Sequence, residues 1–269
     1  MKTRTITGFF FIIVMLASML LGPYVFSGFY LLVSMLCLHE FYKLITQSGV
    51  KVNILAGMLN GALIYIFIAL QYYIPDSRGL LMILTFSGSF IFIQELYRPS
   101  PAPFTNIAFT FLGLIFTVVP FSFFHALAFV KGSFNAHLPL AFFILLWTND
   151  TGAYLSGRAF GRTKLFERHS PKKTVEGFIG GTLLAIGAAL ILSHFFIDVH
   201  MQWKQWVSMA VYISLVGTMG DLVESMFKRS INVKDSGGIL PGHGGLLDRF
   251  DGLLLSAPLV FTFLYWFFT

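Results

Sequence analysis

The chain has 269 residues, of which 56% are hydrophobic and only 11% charged, with 32 phenylalanines and a mean hydropathy of +0.78. About a quarter of the residues in a soluble domain are charged, so the composition excludes an ordinary water-soluble protein and points to one polytopic membrane domain. The net charge of +6 does not signal a nucleic-acid partner, because the bases fall between apolar runs, where they set topology and attract anionic lipids or substrates.

Segments apolar enough to cross a bilayer need about 20 residues each. They predict helices near 6–22, 24–42, 53–73, 79–96, 105–130, 138–157, 175–197, 206–227 and 252–268. Pro120 lies inside the fifth and predicts a kink or a split there. The expected fold is therefore all-α: a single integral membrane domain over 1–269 with about nine transmembrane helices. It would divide into N-terminal spans over 1–135 and C-terminal catalytic spans and loops over 136–269. The first run follows Lys2 and Arg4, as in a signal peptide, but no small-residue cleavage site follows it, so it reads as a retained helix. Cys37 is the single cysteine, lies in an apolar run, and excludes an internal disulfide framework.

Orientation follows from the bases. With the N-terminus cytoplasmic, the same side receives Lys2, Arg4, Lys43, Lys51 and Arg98, and also the bases at 158–173, 228–234 and 249. Only Arg78, Lys131 and Lys204 fall on the other side. The positive-inside rule then places the C-terminus outside.

Ionisable groups are costly within a bilayer, so acids in or beside apolar helices mark working sites. The sixth segment is interrupted by Trp147-Thr148-Asn149-Asp150-Thr151-Gly152-Ala153-Tyr154. This stretch reads either as a wet cavity for a polar substrate or as a hydrogen-bonded junction between spans; the carboxylate of Asp150 favours the cavity. Next comes Ser170-Pro171-Lys172-Lys173-Thr174-Val175-Glu176-Gly177, whose lysines suit phosphate and equally suit a topology-setting charge cluster.

Five of the chain's twelve carboxylates lie within 220–251. Asp221, Glu224, Ser225 and Lys228 share one helical stripe, and paired carboxylates with neighbouring oxygens suit a hard cation such as Mg2+ held jointly with phosphates. The alternative is a neutralised intrahelical ion pair. Asp248 and Asp251 stand three apart at the opening of the last segment, turned to one face; acids there also favour the helix dipole. Between the two helices run Lys234-Asp235-Ser236-Gly237-Gly238 and Pro241-Gly242-His243-Gly244-Gly245. Glycines let backbone amides approach an anion, although a flexible connector explains them as well, and no Walker A motif is present. His39, His125, His194, Glu40 and Glu95 receive no role.

At these residues the chain resembles the CDP-diacylglycerol synthase family, the membrane phosphatidate cytidylyltransferases. The family's signature reads here from Ser225 to Asp251 as SMFKRSINVKDSGGILPGHGGLLDRFD, with every specified position satisfied. The W-x-x-D-T-G-A-Y and S-P-K-K-T-x-E-G stretches are similar to the family too. The resemblance covers the C-terminal half; the N-terminal half agrees only in being hydrophobic.

The resemblance implies transfer of CMP from CTP to phosphatidate with Mg2+, giving CDP-diacylglycerol and pyrophosphate. Under it, Asp221 and Asp248 hold the metal with Asp251 as third ligand. Lys172, Lys173, Lys228, Arg229 and Lys234 hold phosphates, and Arg249 and Ser225 join the substrate site. Asp150 and Asp235 orient groups in the cavity, and His243 donates to pyrophosphate or braces the glycine loop. The implied partners are CTP, phosphatidate and membrane lipids, with room for a homodimer and none for nucleic acid. The implied location is a bacterial inner membrane, with the active site on its cytoplasmic side.

Two other classes fit less well. A CDP-alcohol phosphotransferase would carry D-G-x2-A-R-x8-G-x3-D-x3-D, which is absent. An ion-coupled transporter typically shows paired repeats in both halves, whereas the charge here lies in one half.

Overall fold

The structure, a computed structural model, describes residues 2–74, 77–239 and 244–268. Its helices, in order, are α1 (Lys2–Leu20), α2 (Pro23–Gln47), α3 (Ile54–Leu70), α4 (Met82–Leu96), α5 (Pro103–Gly113), α6 (Val119–Leu127), α7 (His137–Phe160), α8 (Val175–Phe195), α9 (Trp203–Ser230) and α10 (Leu247–Phe268). Each apolar segment read from the sequence coincides with a helix. By length and composition, five among the described residues can cross a membrane: Pro23–Gln47, Pro103–Leu127, Val175–Phe195, Trp203–Ser230 and Leu247–Phe268. Thr7–Leu20, Ile54–Leu70 and Met82–Leu96 are apolar but shorter. Many large apolar side chains face outward, including Phe86, Leu96 and Trp266, as expected where hydrocarbon rather than water is the solvent.

The fifth segment is neither split nor broken. α5 and α6 run on through a π-helical turn at Leu114–Val118, immediately before Pro120. Proline has no N–H to give the preceding turn, and the wider turn absorbs the missing bond and the ring. The expected loop between α7 and α8 also differs, folding as an antiparallel hairpin of β1 (Lys164–Phe166) and β2 (Ser170–Thr174). Thr174 then caps α8, its hydroxyl accepting from Gly177 N–H at 3.1 Å. Glu176 accepts from the backbone N–H groups of Arg162 and Thr163 and pins the hairpin down.

Two helix contacts position everything that follows, and both depend on missing side chains. Along α8, Gly177, Gly181, Ala185 and Ala189 are buried four residues apart, the small-residue stripe that lets membrane helices approach closely. A Cβ on Gly181 would stand 2.6 Å from the carbonyl oxygen of Asn149 on α7, and one on Gly152 would stand 3.0 Å from the Cα of Gly181. Between α9 and α10, a Cβ on Gly220 would stand 2.7 Å from the carbonyl oxygen of Asp251. The two backbones therefore touch where Asp221 and Asp251 branch off.

Phe250, lying between the two acids of α10, is fully buried and meets Phe11, Phe121 and Phe143 edge-on. That aromatic anchor turns the flanking carboxylates away from the core. In the N-terminal half, Glu95 accepts from Arg98 at 2.8 Å and from Asn106 at 2.6 Å, tying α4 to α5. His125 sits among Phe26, Tyr65 and Phe129 with its Nε2 2.7 Å from Ser27 Oγ, the packing role its surroundings suggest.

Gly181→Ala is expected to destabilise the detergent-solubilised protein by about 1–3 kcal/mol, because the new methyl must displace backbone rather than a movable side chain. Gly187→Ala on the same helix, where a Cβ meets nothing within 4 Å, is expected to be neutral or stabilising through helix propensity. Thermal unfolding of the two variants side by side checks this.

Candidate active site

Up-and-down packing brings one end of five helices together. The start of α1, the last turns of α7, the hairpin with the start of α8, the last third of α9 and the start of α10 surround a cavity of about 790 Å³. Its floor is deep. Asp150 precedes the end of α7 by ten residues and Asp221 precedes the end of α9 by nine, roughly 14–15 Å at 1.5 Å per residue.

On the floor, one ammonium pairs with Asp221 and lies within electrostatic reach of Asp150 and Asp251. Lys173 Nζ lies 2.5 Å from Asp221 Oδ2, and Ser225 Oγ donates to Asp221 Oδ1 at 3.3 Å. Asp251 is close enough to Asp221 and Asp150 to be repelled by both, with Lys173 as the common counter-charge. Lys172, Arg158 and Arg249 line the same space. Phe11, Ile12, Tyr154, Leu165 and Phe178 form an apolar wall beside it. Charged floor and apolar wall thus meet in one cavity, as an amphiphilic ligand requires.

Among the described residues, no three His, Cys, Asp or Glu side chains converge into a ready-made metal cage. The donor set nevertheless fits Mg2+. Its carboxylates are hard oxygen ligands, and Mg2+ is usually held by one or two carboxylates while water and substrate phosphates complete its shell.

A second cluster lies next to the first. Lys228 Nζ bridges Glu224 Oε2 at 2.5 Å and Asp248 Oδ1 at 2.7 Å, with Glu224 wholly buried and Lys228 12% exposed. The other oxygen of Asp248, Oδ2, accepts from Ser236 N–H at 2.9 Å and from Gly245 N–H at 3.0 Å. Gly244 just before it has φ of +83°, a left-handed turn that glycine takes without strain. Asp248 reaches the cavity, but its described contacts go to Lys228 and to the two ends of the glycine loop.

The expected residues therefore separate into groups. Asp150, Lys172, Lys173, Asp221, Asp248, Arg249 and Asp251 line the cavity. Ser225 and Lys228 stand behind that lining and hold its acids. Arg229 is exposed and donates to the carbonyl of Val233 at 3.0 Å, closing the end of α9. Lys234 and Asp235 are exposed outside the lining, and His243 lies outside the described residues. Two residues were missed. Arg158, counted only among topology-setting bases, lines the cavity two turns after Asp150 on the same helix, and that spacing was the available signal. Glu40, a lone acid in an apolar run, offered no signal at all.

A family model for the cytidylyltransferase family matches residues 2–267. The phosphatidate cytidylyltransferase of Staphylococcus aureus (strain COL) is 34% identical over 261 residues, covering 97% of each chain. That of Staphylococcus epidermidis (strain ATCC 35984) is 33% identical over 265 residues, again with 97% of each chain covered. That of Staphylococcus haemolyticus (strain JCSC1435) is 34% identical over 262 residues at the same coverage. The similarity thus extends through the N-terminal half, where hydrophobicity alone had been legible.

Proposed function

The chain belongs to the cytidylyltransferase family, and from that premise we propose that it transfers CMP from CTP to phosphatidate, giving CDP-diacylglycerol and pyrophosphate. One observation carries the reading: a single cavity lined by four acids and four bases, the floor, and by apolar side chains, the wall. A nucleotide needs the floor, a lipid needs the wall, and a transfer between them needs both in one space.

A phosphate oxygen of phosphatidate attacks the α-phosphorus of CTP, and the bond from that phosphorus to the β-phosphate oxygen breaks. The lipid phosphate is already largely ionised at neutral pH, its second pKa being about 6, so no residue has to activate it. The obstacle is the approach of two polyanions. Lys172, Lys173, Arg158 and Arg249 offset that repulsion and hold the phosphates in line, by positioning and charge stabilisation. In this proposal Asp221 and Asp251, with Asp248 or Asp150 beside them, hold Mg2+, which when bound neutralises phosphate charge. Lys228 locks Asp248 in place, and Ser225 orients Asp221. Arg229 and Lys234 draw CTP towards the mouth of the cavity, Asp235 orients them, and His243 serves the departing pyrophosphate.

All nine apolar segments span the membrane in this proposal, with 1–135 supporting the catalytic spans of 136–269. The N-terminus and the cavity mouth face the cytoplasm of a bacterial inner membrane. CTP, phosphatidate and the surrounding lipids are the partners, and a homodimer is the proposed assembly.

Purified protein given labelled CTP is expected to form labelled CDP-diacylglycerol and an equal amount of pyrophosphate only when phosphatidate and Mg2+ are both present. Pyrophosphate release without the lipid, or ion flux across vesicles without turnover, would sink the assignment.

A further inference from the structure

Glu40 is a buried acid on α2, only 3% exposed, and it does not line the cavity. Its Oε2 accepts from Leu247 N–H at 2.8 Å and takes a long hydrogen bond from Ser236 Oγ at 3.5 Å. Leu247 is the first residue of α10, and its amide is one of the four that a helix start leaves without an internal partner. Ser236 stands at the other end of the glycine loop. One carboxylate from the N-terminal half therefore grips both ends of a loop about 200 residues further along the chain.

The fit around it is close. A Cβ on Gly237 would stand 2.4 Å from Glu40 Oε1, and one on Gly245 would stand 2.8 Å from Oε2. The glycines at these positions have a definite use: a side chain on Gly237 would push the carboxylate out, and one on Gly245 would strike Ser236 and the backbone of Gly237 as well. Ser236 passes the contact onward, because its Oγ accepts from Asp248 N–H at 3.3 Å while its own N–H donates to Asp248 Oδ2. Asp248 in turn holds Lys228. A continuous set of contacts thus joins Glu40 to the cavity without Glu40 reaching the substrates.

We infer that Glu40 is a positioning residue for the transfer: it fastens Ser236 to the start of α10 and so fixes Asp248 and Lys228 in the geometry that the reaction needs. The inference deepens the phosphatidate cytidylyltransferase reading and rests on it. It also gives the N-terminal spans a catalytic purpose beyond filling the membrane.

The test combines kinetics with hydrogen–deuterium exchange on the full-length protein in detergent. Glu40→Ala should lower kcat on the order of 100-fold, the scale of a 1 Å misplacement, with KM for CTP little changed. Glu40→Gln keeps an acceptor for Leu247 N–H and should recover most of that kcat. Exchange should quicken at the amides of Ser236, Gly245 and Leu247 in Glu40→Ala while α7 and α8 stay protected. Unchanged exchange at those three amides overturns the inference, as does an equal kcat in the Ala and Gln variants. If Glu40→Ala does not accumulate in membranes, Gly237→Ala carries the same test, since it displaces the carboxylate without removing it. Wild-type turnover tests the underlying reading separately: without it that reading falls, while the exchange pattern still decides whether Glu40 clamps the loop.

Discussion

Lys228→Met is expected to abolish turnover and to lower the unfolding midpoint on the order of 10 °C. The ammonium of Lys228 lies between Glu224, which is wholly buried, and Asp248, which is 12% exposed. Removing one member of a buried ion set leaves uncompensated charge behind, at a cost of about 3–5 kcal/mol. For a chain of this size each kcal/mol corresponds to roughly 2–4 °C. Glu224→Gln added to Lys228→Met should restore much of the midpoint, because it removes the deepest uncompensated carboxylate. It should not restore activity, since Asp248 still lacks its partner. Thermal unfolding of the single and double variants, read alongside product formation, separates the two effects. An unchanged midpoint in Lys228→Met would mean that the bridge does not bear on folding.

Asp221→Asn should behave in the opposite way on stability. Turnover is expected to fall by about 10²–10³-fold or more, the usual scale for removing a preorganised charge aimed at the reacting groups. Stability should hold or rise slightly. Asn keeps the volume and an acceptor for Ser225, the pair lost with Lys173 is about a third exposed and worth little, and the repulsion that Asp221 exerts on Asp251 disappears. The measurement is product formation across a Mg2+ titration together with the unfolding midpoint. Lost activity accompanied by a lower midpoint would reassign Asp221 to structure rather than chemistry. The contrast with Lys228 is informative: Lys228 neutralises buried charge, whereas Asp221 pairs with a partly exposed lysine and crowds a second acid, so only the second is kept at a cost in stability.

How much of this could be read from the chain depends on the kind of interaction involved. The stripe of Asp221, Ser225 and Lys228 was legible because helix periodicity brings residues three, four and seven apart onto one side, and the structure keeps Ser225 on Asp221. Asp248 and Asp251 were legible as acids opening the last helix. Their separate engagements were not: Asp248 is held by Lys228 and two loop amides, whereas Asp251 lines the cavity with Asp221 and Asp150. The hairpin between β1 and β2 was missed because five residues of SPKKT carry no alternation of apolar and polar side chains. Of the kink and the split expected at Pro120, the continuous helix rules out the split, and the π-helical turn was not legible because it depends on the packing around it.

Composition and order alone determined that this is a helical membrane protein, where its apolar segments lie, and that its charge gathers towards the C-terminal end. These are properties of runs along the chain, and a bilayer of given thickness selects such runs by length. Only the tertiary structure decided which acids share a counter-charge, that Arg158 belongs to the cavity, and that Glu40 grips a loop from the other half of the molecule. Those relations depend on how closely helices approach, and the approach is set by glycines such as Gly181 and Gly220 meeting backbone distant in sequence. The four-residue spacing of small residues marks a face that can approach closely, but nothing along the chain says which backbone it meets.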